Sequence, residues 1–421
     1  MDITPLKSVK PETTPYRSHS PRKPGSRPGV LLITPRFPFP SLSGGEKWAA
    51  RLAEGLASNY DLSLFSFTSP GAETHQTALA MKLEGKLFKK IYLLPKPENR
   101  GKTSLPSLPA MYWSPEAAAA LAKAAAETGA ELAHILFSEM ACYEAALPPG
   151  LPLVYTEIDS SYLYPWKYYL RETAGIKGFF KAGEFLRSRA YARRHYGRFN
   201  AVTFITASDG RDITRYLNTD LTAVTPNAVR AGEFSVPPDN SRKQGEILFL
   251  GHYPHYPNED AALRLARRIF PLVKAEYSRA SLTLAGSFPT PAVAALAGHN
   301  VSVPGTAADV RPFFWRAEVF AAPVRYGLGA KGKILEAFAA GLPVVASREA
   351  AAGIEGAVDG VHLLIAGSDR DFAAKTALLL NDPARRGELA ANALDLARKK
   401  FSFEGVTSTI TGLYRELLNG N

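Results

Sequence analysis

From residue 29 onward the chain alternates short, mostly apolar runs with segments of helical period, and this alternation is the tightest constraint on its fold. Runs that are apolar at every position suit strands buried on both faces, as in parallel sheets. A first series reads Val30–Thr34, Leu62–Phe67, His134–Phe137, Leu153–Ile158 and Ala201–Thr206. A second reads Ile247–Gly251, Ser281–Gly286, Val301–Val303, Val319–Pro323, Pro343–Ser347 and His362–Gly367. Helical patterns fit between them, such as Glu46–Ala57, Pro115–Thr128, Glu259–Tyr277 and Lys333–Ala340. The two series meet near "TPNAVRAGEFSVPPDN" (225–240), a Pro-, Asn- and Asp-containing stretch of linker type. The expected fold is therefore α/β, with two Rossmann-like doubly wound domains, 29–228 and 229–402, facing a central cleft. At 421 residues the chain also exceeds what one ordinary core serves. A last helix, roughly Phe403–Leu418 within 403–421, is predicted to pack on one domain or the other.

Composition narrows the setting. One cysteine, Cys142, excludes an intramolecular disulfide framework and fits a reducing compartment. No apolar run is long enough for a membrane span, and the first residues lack the apolar stretch of a secretory signal, so a cytoplasmic protein is expected. The net charge of +11 is uneven. Residues 1–28 carry Lys7, Lys10, Arg17, Arg22, Lys23 and Arg27 against Asp2 and Glu12, and read as a disordered basic tail. The stretch 160–200 mixes aromatics with Lys and Arg. Within it Ile176, Phe179, Phe180, Gly183, Leu186 and Tyr191 are predicted to share a helix face, with Lys181, Arg187, Arg189, Arg193 and Arg194 around the rest. Such a helix either lies on anionic lipid or packs on the core with a solvated basic face, the second being the plainer expectation. Its aromatics are committed to packing, so nucleic acid is not an expected partner.

In open α/β sheets ligands bind beyond the carboxyl ends of the strands, so the informative motifs lie there. In "RYGLGAKGKILEAFAAGLPVVAS" a strand ends, Arg325, Gly327, Gly329 and Lys331 follow, and a helix starts near Lys333. Helix N-termini favour anions, glycines let the backbone approach closely, and lysines add point charges that suit phosphate. Glu336, three residues after Lys333 on the same helix face, is poorly placed for phosphate but suits paired sugar hydroxyls. The expected ligand is a nucleotide with a diphosphate. In "TPRFPFPSLSGGEKWAARLAEGL" Gly44 and Gly45 open a helix after the first strand, with Arg36 and Lys47 in reach of an anion or of acceptor hydroxyls. In "LVYTEIDSS" Glu157 and Asp159 point one way from a strand end, as general-base or hydroxyl-binding candidates, or as a cap with Ser160. Gly251 ends the first strand of the second domain. His252 and His255 follow it without further ligands at metal spacing, so no metal is expected. There is no P-loop, zinc signature or nucleophile elbow.

With these motifs in place the chain, from about residue 30 to 418, resembles the GT-B glycosyltransferases, and within them the retaining family 4 of the bacterial surface-polysaccharide type. "GGEKWAARLAEGL", "VTPNAV", "ILFLGHYPHYPNEDA", "VPGTAADVRPFF", "APVRYGLGAKGKILEAFAAGLPVVAS" and "DGVHLLI" carry the resemblance, in the family's order. It implies transfer of a sugar from a nucleotide donor, with retention and without a catalytic metal or other cofactor, to a glycan or lipid-linked acceptor. The enzyme would work in the cytoplasm, with peripheral contact at the inner face of an anionic membrane. By motif, Glu336 would hold the ribose and Lys333 the diphosphate. Gly44 and Gly45 would line the donor phosphates and acceptor, and Val303, Pro304 and Gly305 the base. Two positions depart from the pattern. Leu328 stands where many members hold the donor sugar with a glutamate, which leaves backbone amides after Gly327, with Lys331, as the candidates. The histidine common after the fourth N-domain strand is replaced, leaving Glu157 and Asp159 nearest, so the catalytic set expected here is Asp159, Glu157 and Lys333. A nucleotide-sugar epimerase, or an inactive nucleotide-sugar-binding scaffold of a polysaccharide assembly complex, would share the same frame.

Overall fold

The computed structural model describes residues 26–41, 43–98, 104–158, 176–235, 242–307, 309–325 and 332–419, with backbone only for 176–182. Thirteen strands form two parallel sheets. In the first, β1 (Gly29–Thr34), β2 (Asp61–Phe67), β3 (Lys90–Leu94), β4 (Leu132–Leu136), β5 (Leu153–Glu157), β6 (Ala201–Phe204) and β7 (Thr222–Val224) take the order β3-β2-β1-β4-β5-β6-β7. In the second, β8 (Glu246–His252), β9 (Ser281–Ser287), β10 (Val301–Ser302), β11 (Val319–Ala322), β12 (Val344–Ser347) and β13 (Leu364–Ala366) take the order β10-β9-β8-β11-β12-β13. The strand order reverses between β1 and β4 and again between β8 and β11, the crevice where doubly wound sheets bind ligands.

Both sheets are covered on both faces. Along β1, Val30 and Leu32 enter one core layer while Leu31 and Ile33 enter the other, all fully buried. That is why these strands read as continuous apolar runs. The two strands the sequence pattern omits, β3 and β7, lie at the edges of the first sheet. β3 opens on an exposed lysine and is otherwise half-buried, and β7 is three residues long. The long helix expected over 259–277 is present but irregular. It runs as α-helix Tyr256–Arg264, a π-turn Leu265–Ile269, then α-helix Phe270–Glu276. Pro271, without an N–H, cannot continue the regular ladder, and the wider turn absorbs the break.

At the centre of the second sheet β8 and β9 approach through two glycines, Gly251 opposite Gly286. Gly286 sits at φ +139, and a Cβ there would lie 1.8 Å from the Gly251 carbonyl oxygen.

The C-terminal helix Phe403–Leu418 returns to the first domain, where Val406, Ile410 and Tyr414 join the core beneath β1 and β4. It packs on the helix Gly44–Leu56 at Gly55, where any Cβ would fall 2.4 Å from Thr407 Oγ1. The chain thus crosses between domains twice, and the crossings pair. Val229 N–H donates to the Phe401 carbonyl at 2.9 Å, beside the Val229–Ser402 bridge.

His134, on β4, ties this helix to the sheet. One ring nitrogen lies 2.6 Å from the Tyr414 hydroxyl and the other 2.6 Å from Thr156 Oγ1, which continues to Thr203 at 2.7 Å. Complete burial pulls the imidazole down to about 3. The folded state therefore refuses a proton that the unfolded chain accepts below its ordinary value near 6.5. Stability from this group is full above about pH 6.5 and falls as pH drops, by roughly 1.4 kcal/mol per pH unit. Denaturant unfolding across this range should show a shallower pH slope for His134→Asn than for the wild type. Equal slopes would exclude His134 as the source.

The helix Ile176–His195 corrects one sequence expectation. Its buried stripe is Ser188, Tyr191, Ala192 and His195, whereas Leu186, assigned to the apolar face, is 64% exposed. Arg187, Arg193 and Arg194 are also exposed. The residues 159–175 before this helix, and most of the basic tail, lie outside the described residues. Within 26–28 the chain is already tied down: Arg27 donates to the Ala57 carbonyl at 2.8 Å and the Pro28 carbonyl accepts from Asp61 N–H at 2.9 Å. Among the described residues no helix is long and apolar enough to cross a membrane.

Candidate active site

Four strand ends meet the cleft, those of β1 and β4 on one wall and those of β8 and β11 on the other. The helix Gly44–Leu56 follows β1. Ser43 Oγ accepts from Glu46 N–H at 3.3 Å and Glu46 accepts from Ser43 N–H at 3.1 Å, so a capping box fixes this start. The two glycines have different reasons. A Cβ at Gly45 would lie 2.7 Å from the Phe137 ring, so Gly45 serves close packing of helix on strand end. Gly44 has nothing within 4 Å of a built Cβ and faces the cleft.

The helix Gly332–Ala339 follows β11 and starts one residue before its expected position. Its amphipathic pattern buries Ile334, Leu335, Ala337 and Phe338, which fixes the direction of the two functional side chains. Lys333 donates to Asn258 Oδ1 at 2.6 Å and its ammonium lies 4.8 Å from the centre of the Phe249 ring. Asn258 in turn donates to the His252 carbonyl at 2.9 Å. The ends of β8 and β11 are therefore joined through a lysine. Glu336, only 6% exposed at its side chain, accepts from Lys47 of the opposite domain at 3.1 Å. Gly44, Lys47, Arg51, Asn227, Gly332 and Glu336 line one interdomain pocket.

Other expected residues fall as follows. Gly251 is enclosed by Asn258, Tyr253 and Phe249, with a built Cβ 3.1 Å from the nearest of them. His252 bonds Ser287 Oγ through Nδ1 at 2.8 Å. Burial lowers its pKa, against the opposing pull of Glu46 from across the cleft. Val303 is half-buried against the second core, just before Gly305 at φ +83. Arg325 forms a two-point contact with Asp260 of the helix Tyr256–Arg264, at 2.5 and 3.1 Å. Glu157 is fully buried and accepts from the Tyr155 and Tyr196 hydroxyls at 2.9 and 3.0 Å. Burial, then the charge of Glu157, raises the pKa of both tyrosines well above the ordinary range. Glu157 thus faces the domain interior. Asp159, Gly327, Leu328, Gly329 and Lys331 lie outside the described residues.

Arg36 stands on the first wall, beside Lys96, Tyr112, Phe137, Glu46 and Glu139, most of which the motif reading did not include. Their positions along the sequence are scattered, and only the topology gathers them. Asn258 and Asn227 lie within the "ILFLGHYPHYPNEDA" and "VTPNAV" segments, but a neutral amide carries little signal by itself.

Residues 244–382 match the family described as Glycosyl transferases group 1. This segment includes β8 to β13 and the Lys333–Glu336 helix. No curated protein matches the chain in sequence. Solved structures match over nearly the whole chain. HepE of Anabaena, crystallised with UDP and glucose, is 14% identical and superposes with a TM-score of 0.67, covering 92% of this chain and 99% of that one. Sucrose-phosphate synthase of Thermosynechococcus elongatus is 16% identical with a TM-score of 0.69, covering 94% and 100%. WaaG, a glycosyltransferase involved in lipopolysaccharide biosynthesis, is 15% identical with a TM-score of 0.62, covering 93% and 100%. At these identities the likeness is one of fold. The fold is that of the GT-B glycosyltransferases, and residues 244–382 within it match a glycosyl transferases group 1 domain.

Proposed function

We propose that this chain is a retaining glycosyltransferase of family 4 type, which moves a sugar from a nucleotide donor to a glycan or lipid-linked acceptor. The observation that carries the reading is the pairing of Lys333 and Glu336 on one short helix at the β11 end, inside the group 1 domain. Glu336 offers a nearly enclosed carboxylate to the ribose hydroxyls, and Lys47 orients it before a nucleotide arrives. Lys333, steadied by Asn258, stands at a helix start where the diphosphate would lie. Gly327, Gly329, Lys331 and Arg325 are further residues proposed to bind that diphosphate, with Gly251, His252 and Val303 for the rest of the donor. Gly44 leaves room on the opposite wall, beside Arg36.

During transfer the bond from the anomeric carbon to the diphosphate breaks as the bond to the acceptor oxygen forms, through an oxocarbenium-like state. Negative charge grows on the departing phosphate, and a preorganised ammonium stabilises it. One such group is worth roughly 3 kcal/mol, or about a hundredfold in rate. Glu157, locked by two tyrosines, acts as the anchor of the strand end that carries Asp159, and Asp159 is the carboxylate proposed to face the reacting sugars.

Thermal unfolding with a panel of nucleoside diphosphates tests the donor half, with UDP first because HepE was crystallised with it. A stabilising diphosphate names the donor class, and none would remove the reading. An acceptor-dependent rise in diphosphate release distinguishes transfer from the inactive scaffold. The scaffold reading draws on Leu328 and on the replaced histidine of the N-domain.

Membrane contact is a separate expectation. Leu186 and three exposed arginines share the outer face of the Ile176–His195 helix. The chain should sediment with anionic vesicles at low salt and release at high salt. Absence of binding at low salt would remove that expectation.

A further inference from the structure

On the N-domain wall four separate segments bring two cations to one place. Arg36 follows β1, Lys96 follows β3, Glu139 follows β4, and Tyr112 precedes the helix Pro115–Thr128. Tyr112 is buried and accepts from Arg36 at 3.1 Å, and this is the one hydrogen bond among the described residues that the guanidinium makes, of the five N–H donors it carries. Glu46 and Glu139 each lie 3.6 Å from Arg36, near enough for attraction but too far for hydrogen bonds. Both carboxylates are more enclosed than Arg36, at 13% and 10% side-chain exposure against 34%. Arg36 is the most exposed of the three side chains. The guanidinium also lies 5.4 Å from the centre of the Phe137 ring.

Lys96 repeats the pattern. Its ammonium lies 4.6 Å from the centre of the Tyr112 ring and has no hydrogen bond or ion pair among the described residues. Burial, then the nearby charge of Arg36, lowers its pKa. Glu46 and Glu139 offset part of the two like charges, while an anion bridging Arg36 and Lys96 would use the hydrogen-bond donors these carboxylates leave unspent. The arrangement also belongs to the cleft, because Glu46 is the carboxylate that acts on His252 across it.

We propose that Arg36 and Lys96, on the aromatic floor of Tyr112 and Phe137, seat an anionic group of the acceptor, a phosphate or a uronic carboxylate. This rests on the glycosyl-transfer reading for the word acceptor. It adds that the acceptor is charged close to its reacting sugar, and that Lys96 and Tyr112 select it. The planar guanidinium offers paired donors to two oxygens, and the ammonium closes the third side as a point charge.

The test fills the donor site first. With UDP saturating, glucose 1-phosphate, glucuronic acid and glucose are titrated by calorimetry into the wild type, Lys96→Met and Lys82→Met, the last a surface control. The wild type should bind one of the two charged sugars and not glucose. Lys96→Met should weaken that binding about tenfold, and Lys82→Met should leave it unchanged. Preference for glucose 1-phosphate assigns a phosphate, and preference for glucuronic acid a carboxylate. Equal binding of glucose, no binding of either charged sugar, or wild-type affinity in Lys96→Met overturns the proposal. UDP binding is read separately. If UDP fails to bind while charged sugars bind through Lys96, the donor assignment falls and the anion seat stands.

Discussion

Glu336→Ala should abolish the thermal shift given by the stabilising nucleoside diphosphate while barely moving the unfolding temperature of the unliganded protein. Two different environments produce that split. In the unliganded protein the carboxylate is paired with Lys47, whose side chain is 39% exposed. Removing the acid returns a lysine to water, a change on the scale of a surface ion pair, about 1 kcal/mol or less. In the nucleotide complex the same carboxylate would accept from two ribose hydroxyls in a nearly dry pocket, and charge-assisted bonds of that kind contribute roughly 1.5–3 kcal/mol each. Losing both weakens the diphosphate by about a hundredfold or more. The measurements are the melting temperature with and without nucleotide, and calorimetric affinity. Full nucleotide binding by Glu336→Ala would remove the residue from the site. A large fall in unliganded stability would make Glu336 a structural residue.

Gly286→Ala should be among the most destabilising single-methyl additions available in this chain. The built Cβ would meet backbone, not a side chain that can turn away: 1.8 Å to the Gly251 oxygen, 2.8 Å to its carbon and 2.9 Å to its nitrogen. The positive φ adds a conformational cost for any residue with a Cβ. Relief requires β8 and β9 to part at the centre of the second sheet, where they are in register from Glu246–Ser281 to His252–Ser287. A loss of more than about 4 kcal/mol is expected, beyond the range of ordinary substitutions. Gly251→Ala is the control. Its nearest neighbours, at 3.1 Å, are the side chains of Asn258 and Tyr253, which can yield, and about 1–3 kcal/mol is expected. Urea unfolding of the two variants against wild type measures the difference, and equal losses would refute the backbone-clash account.

The sequence made the frame legible because strands buried on both faces are mostly apolar, as the inner strands of both sheets are. It concealed the edges, where β3 and β7 have one neighbour each and need no such run. At the site, Lys333 and Glu336 were readable as neighbours on one helix from one contiguous stretch. The partner of Glu336 was not, because Lys47 is separated from it by 289 residues. The sequence motif places Lys47 with the acceptor, and the structure pairs it with the carboxylate proposed for the donor. At Gly45 the structure adds a packing reason for glycine, since the Phe137 ring excludes a side chain there. Glu157 illustrates the limit of strand alternation. Facing one side of a strand does not say whether that side is cleft or core, and two tyrosines, Tyr155 next to it in register and Tyr196 from the following helix segment, claim it for the core.

The return of the C-terminal helix has a consequence for the order in which the molecule can be made. Tyr414 and His134, 280 residues apart, close one hydrogen bond inside the first core, and Val406 and Ile410 complete the same layer. The whole second domain is, topologically, an insertion between the first domain and its own last helix. During synthesis the leading half therefore leaves the ribosome with an apolar groove along β1, β4 and the Gly44–Leu56 helix still uncovered. It stays uncovered while the trailing half, whose core draws on residues 229 to 401, assembles from its own contiguous segment.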